Sequence, residues 1–146
     1  MPMRFAKRLT ALSGVSMALL LAALPGAAAE DQWPLLRPGQ WEFKTDVNGQ
    51  RRLEISCSDP IADVKASVLE LDQRNCDREP VRKRSGGYVF RVECPAEQGA
   101  KGKMKGAFRL TTTSDSAFKM ESTSTIDGKV RREIVEAKRR GDCSQQ

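Results

Sequence analysis

Cys57, Cys76, Cys94 and Cys143 are the residues of this chain with the clearest chemical potential, and histidine is absent. Thiols can serve as redox centres, metal ligands or covalent staples. No Cys-x-x-Cys pair occurs, which argues against a thioredoxin-like redox centre. Successive steps of 19, 18 and 49 residues lack the short paired spacing of a four-thiolate zinc site. An even number of cysteines behind an export signal points to two disulfides. Four cysteines allow three pairings. The segment 76–94 folds about Ser85-Gly86-Gly87, and Cys76 and Cys94 are nearly equidistant from that turn. Antiparallel strands would bring them opposite each other. Cys76–Cys94 is therefore favoured, which leaves Cys57–Cys143.

Catalytic sets are hard to assemble from what remains. Without histidine there is no serine or cysteine triad of the usual kind and no histidine-bearing metal site. The carboxylates alternate on strands as outward charges, Asp59 reads as a helix cap and Asp127 as a turn residue. No glycine-rich phosphate loop is present. The expectation is a protein that is not an enzyme and has no cofactor and no metal.

Three surface features suggest binding. Lys101, Lys103 and Lys105 recur at period two, and Arg109 extends the row. Such a stripe suits an anionic envelope component, or else it is a solvated face that discourages edge-to-edge aggregation. Glu93, Glu121 and Glu133 are placed to neutralise it across the sheet. Thr112, Ser122 and Ser124 alternate onto the same face as Phe118 and Met120. Hydroxyls on an apolar face either line a wet cavity for a small amphipathic ligand or mark where the sheet runs past its helix into solvent. The Arg140-Gly141-Asp142 tripeptide beside a disulfide is a weak adhesion signal.

The elements that carry these residues follow from periodicity. Trp41, Phe43, Thr45 and Val47 alternate with Glu42, Lys44 and Asp46, a half-buried strand in which Trp41 plugs the core. Asn48-Gly49 suits a two-residue hairpin turn. On the return strand Leu53, Ile55 and Cys57 share one face, and Arg52, Glu54 and Ser56 the other. Asp59-Pro60 opens a helix with an apolar stripe of Ile61, Val64, Val68 and Leu71, ended by 72–75. Further alternation follows from Cys76 to Gly141, with turns at 85–87, 114–116 and Asp127-Gly128. The fold class is mainly β: an antiparallel curved sheet or incomplete barrel of about seven strands in meander order, with one short helix and two disulfides.

Residues 1–29 read as a cleaved signal peptide. Arg4, Lys7 and Arg8 precede an apolar run from Leu9 to Leu24, and Ala27-Ala28-Ala29 supplies the cleavage site. The apolar run is too short to span a bilayer comfortably. No cysteine stands at the cut and no twin-arginine pair precedes it, so the general secretory route is expected. Residues 30–40 form an extended lead-in, 41–143 one β-rich domain, and 144–146 a tail. Losing Arg4, Lys7 and Arg8 lowers the formal charge from +6 to +3. A charge that small, with few aromatics, does not suit a nucleic-acid binder.

Gly39-Gln40-Trp41-Glu42, Cys57 ahead of a short helix, Cys76, Val92-Glu93-Cys94-Pro95 and the ending Lys138-Arg139-Arg140-Gly141-Asp142-Cys143 stand in a recognisable order. On these residues the chain resembles the bacterial envelope family catalogued as domain of unknown function 3617, from about Pro38 to Cys143. It departs where many members have a longer Pro- and Met-rich connection and this chain has Asn48-Gly49. The resemblance implies an exported protein of Gram-negative bacteria, and it implies no activity, substrate or cofactor. The sequence therefore suggests a monomeric, non-catalytic periplasmic module that binds a small apolar or amphipathic ligand. The alternative is an interaction factor or an inhibitor of an envelope or host enzyme.

Overall fold

The computed structural model describes residues 29–97, 99 and 101–144. The signal-peptide reading falls, but for Ala29, outside the described residues. The elements run β1 (Gly39–Val47), β2 (Gln50–Ser58), α1 (Pro60–Gln73), β3 (Asp77–Arg78), β4 (Arg82–Arg84), β5 (Gly87–Cys94), β6 (Met104–Ser114), β7 (Ala117–Ile126) and β8 (Lys129–Gly141). All eight strands belong to one antiparallel sheet that does not close, in the order β2-β1-β8-β7-β6-β5-β3, with β4 also paired to β5. The count rises to eight because the stretch around Pro80 cannot continue a ladder, and two short strands flank it. The meander order breaks once. The last strand docks on β1, which sits between β2 and β8.

The chain leaves β2 at one edge and resumes at β3 on the other, so α1 must cross the sheet. Asp59 caps it by accepting from the Ala62 amide at 3.2 Å, and Pro60 occupies its first turn. Ile61 packs near Trp41, Leu110 and Phe118. Val64, Val68 and Leu71 pack with Val81 and Phe90. The core therefore lies between α1 and one face of the sheet. Trp41 and Leu110 are fully buried in it, and the Trp41 indole N–H donates to the Arg37 carbonyl at 3.0 Å.

Both disulfides guard this crossover. Cys57, just before α1, is joined to Cys143 beyond β8, with Cα atoms 5.7 Å apart. Cys76, just after α1, is joined to Cys94 at the end of β5, with Cα atoms 4.1 Å apart. Arg78 ties the same region electrostatically. Its guanidinium donates to Asp31 at 2.9 and 3.0 Å and to Asp72 at 2.8 and 3.0 Å, joining lead-in, β3 and helix end. The hydrogen bonds from Arg78 hold the Asp31 carboxyl below the usual aspartate range against the opposing effect of burial, and the Val81 amide adds to them.

Two outcomes follow. The folded Asp31 carboxyl titrates below the unfolded one, so its contribution is complete above about pH 4 and vanishes as pH falls through the lowered value. Asp31→Asn should cost about 1.5 kcal/mol near neutrality and flatten the acid limb of stability, measured by urea unfolding as a function of pH. Separately, Cys57 and Cys143 are exposed while Cys94 is buried. Mild reductant should open Cys57–Cys143 first, read by differential alkylation and mass analysis. Its removal should cost about 4 kcal/mol, against about 3 kcal/mol for the shorter loop.

Candidate functional site

Register decides which surfaces are available. In antiparallel pairs, residues directly opposite share a face. Trp41 lies opposite Ser56, Phe43 opposite Glu54 and Thr45 opposite Arg52. The core face thus ends, at β2, on polar side chains. Leu53 and Ile55 lie opposite Lys44 and Glu42, on the outer face, and are 61% and 55% exposed. The cause is the turn itself. Asn48 and Gly49 both have positive φ, at 50° and 87°, and Val47 stands opposite Gln50. Odd-numbered residues of β1 therefore share a face with even-numbered residues of β2. The apolar side of the return strand faces away from the core.

The edges of the sheet differ. Beyond β5 the partners are only β3 and β4, interrupted by Pro80, and the lead-in adds a hydrogen bond from the Gln32 amide to the Val81 carbonyl at 2.9 Å. That edge is blunted in the usual way. β2 is nine residues long, unbroken in register, free of proline, and last in strand order. Ile134, 37% exposed, lies opposite Asp46 on the same outer face and helps line an open cleft of about 580 Å³ with Leu53, Lys44 and Arg51.

The residues singled out for ligand binding do not enclose a cavity together. Thr112, Phe118, Met120, Ser122 and Ser124 share the core face. Phe118 belongs to the core itself, 7% exposed and 5.5 Å from the Trp41 ring. Ser122 stands opposite Phe108 and Glu133, and Ser124 opposite Gly106 and Arg131, all on the same face. Both serines are half-buried. The clefts at β1–β2 and β5–β6 are open and lined mainly from the outer face.

The cationic row is broken up as well. Only Lys105 and Arg109 lie within β6; Lys101 and Lys103 precede it. Lys103 and Lys105 share Glu93, at 2.8 and 3.8 Å. Lys103 is the main cause that holds the Glu93 carboxyl below its usual value. Arg109 folds over Gly87 and donates to the Ser85 carbonyl at 2.8 Å. Glu121 pairs with Lys119 at 2.9 Å, and Glu133 serves Arg131 on the opposite face of the sheet. Among the described residues no group of three or more acidic, cysteine or histidine side chains is placed to hold a metal ion. No described helix is long and apolar enough to cross a membrane.

The opening motif 39–42 and the ending motif 138–143 meet at one corner and are engaged in holding it. Gly39 has φ +153°, and a Cβ there would lie against the Gly141 carbonyl and 2.6 Å from Arg139 Nε. Arg139 Nε donates to the Pro38 carbonyl at 2.9 Å, and its guanidinium also pairs with Asp142. Where register shifts between Gln40 and Trp41, Arg140 reaches Glu42 with Nε 2.9 Å from Oε2. This contact is the main cause that keeps the Glu42 carboxyl below its usual value. Arg140, Gly141 and Asp142 are thus occupied structurally and do not present a free tripeptide.

A family model described as "Protein of unknown function (DUF3617)" matches residues 36–143, and the chain belongs to that family. No curated protein and no solved structure matches it.

The corner makes Gly39 intolerant of any side chain. Gly39→Ala should cost about 3 kcal/mol, from a strained φ together with overpacking. Urea denaturation of the oxidised protein measures it, and Gly128→Ala, with open space around it, serves as the strained but unclashed control.

Proposed function

We propose that this member of the DUF3617 family is an exported, non-catalytic interaction protein of the periplasm that docks a partner on the free edge of its sheet. The observation that carries this reading is β2: a nine-residue edge strand, paired on one side to β1, whose outer face displays Leu53 and Ile55. Exposed edges invite strand addition, in which main-chain hydrogen bonds supply affinity and alternate side chains supply selectivity. The export part rests on the residue 1–29 pattern and on two disulfides, which persist in oxidising compartments. A second reading, the small amphipathic ligand, has Met120, Ser122 and Ser124 in its favour, half-buried together on one face. The clefts among the described residues at β1–β2 and β5–β6 are open, whereas such sites are usually enclosed and apolar.

A photo-cross-linker placed at Leu53 in cells should give a discrete adduct, and one at Leu69, equally exposed on α1, should give none. Mass analysis of the same material should place the N-terminus at Glu30. No adduct at Leu53 removes the docking role, and a retained leader removes the periplasmic assignment.

A further inference from the structure

We infer that the occupant of the β2 edge is a second copy of this chain, paired antiparallel about a two-fold axis at Leu53. This rests on the reading of β2 as a docking edge and names its partner. The turn sets the hydrogen-bonding polarity. A two-residue turn with both central φ positive makes Val47 and Gln50 a hydrogen-bonded pair. Hydrogen-bonded and non-hydrogen-bonded pairs then alternate along the hairpin. Gln50, Arg52, Glu54 and Ser56 spend their backbone groups on β1. Arg51, Leu53 and Ile55 direct theirs away from the sheet.

Those outward groups fit a second β2 best in one register. A two-fold axis perpendicular to the sheet keeps each face with itself, so partners must have the same parity. Centring on Leu53 pairs Leu53 with its own copy and Arg51 with Ile55, all three through outward backbone groups. On the other face it places Arg52 opposite Glu54 twice. Shifting the centre to Glu54 sets two glutamates opposite each other, and shifting it to Arg52 sets two arginines together, each of which is unfavourable. Within one copy, Arg52 and Glu54 make no ion pair among the described residues, although Arg51 is already held by Asp46 at 3.3 Å. The interface thereby pairs two charges that have no ion partner within one copy among the described residues. It also covers Leu53 with its own copy and lays the Arg51 side chain against Ile55. The helix does not obstruct this approach, because α1 leaves β2 across the core face toward β5. This dimer stands in place of the monomer expected from the sequence.

Sedimentation velocity on the full, oxidised protein should show a concentration-dependent dimer. Arg52→Glu or Glu54→Arg alone should weaken it by about tenfold or more, because each variant converts both cross-strand pairs to like charges. The double swap R52E/E54R restores opposite charges and should restore the dimer. Hydrogen exchange supplies a readout independent of these variants. In the dimer the amides of Arg51, Leu53 and Ile55 should gain protection, whereas those of Arg52, Glu54 and Ser56 are protected in either state. A monomer at every concentration, a double swap no better than the single ones, or a dimer whose Leu53 amide exchanges freely would each overturn the inference. A monomer that still yields a cross-linked adduct of different mass at Leu53 in cells would remove the second copy and leave the docking edge standing.

Discussion

The helix crossover is the constraint on which the remainder depends. A sheet that does not close leaves one face to be sealed, and this chain seals it with a single helix that must travel from one edge to the other. That helix is a weak seal by itself. Of its apolar stripe only Val68 is fully buried, while Ile61, Val64 and Leu71 remain partly exposed and Leu69 faces water. At roughly 25 cal/mol per Å² of apolar area, such a stripe falls short of the entropy lost in ordering fourteen residues. The disulfides are placed where that shortage is felt. Cys57 precedes the helix and Cys76 follows it, and each is bonded to the end of a long strand. Arg78 adds a polar clamp between the helix end and the lead-in. The helix is held at its two ends more than along its length.

From that arrangement comes the inequality of the edges. The chain re-enters the sheet beside β5 through Cys76, and the short strands, Pro80 and the lead-in gather there. Among the described residues nothing comparable accumulates at β2, because the chain departs from it at once. A free edge of nine residues is a hazard in a protein that has no use for it, since exposed ladders recruit other strands. Its apolar outer face would ordinarily be softened by charge. Arg51, held by Asp46, is the one β2 charge there, while Arg52 and Glu54 sit on the opposite face, spaced so that a copy of the same strand would complement them.

Much of this was legible in the residues. The Asn48-Gly49 and Asp127-Gly128 turns, the Asp59-Pro60 helix start, the alternation of β1 and the bonded role of Trp41 are local signals, and local signals survive into the fold. The disulfide pairing came from symmetry about one turn, which is also local. What escaped was nonlocal. Nothing along the chain says that β8 pairs with β1, so strand order read as a simple meander. The orientation of β2 lies between these cases. A two-residue turn reverses parity, and Trp41, Leu53 and Ile55 are all odd-numbered; that arithmetic was available and places Leu53 away from Trp41 without any coordinates. The cationic row failed for a related reason. Period two implies one face only inside a strand, and Lys101 and Lys103 stand before β6 begins.

The same distinction bears on where function lies. Most of the residues by which the family is recognised form the corner where β1 meets β8; Cys76 and residues 92–95 lie at the β3–β5 side. Gly39 gives the strands room, Trp41 fills the core, Glu42 is held by Arg140, and Cys143 closes on Cys57. Among them Trp41, Glu42, Arg139, Arg140 and Asp142 already have partners within the chain. Groups so engaged can specify a scaffold, but they have little left with which to hold something else. Arg52, Glu54, Leu53 and Ile55 are the reverse case: two charges without an ion partner among the described residues, two apolar side chains in water, and backbone groups aimed outward. In a chain without histidine, recognition by strand addition asks for nothing that is missing, because the backbone supplies the donors and acceptors and the side chains need only sort partners by charge and shape.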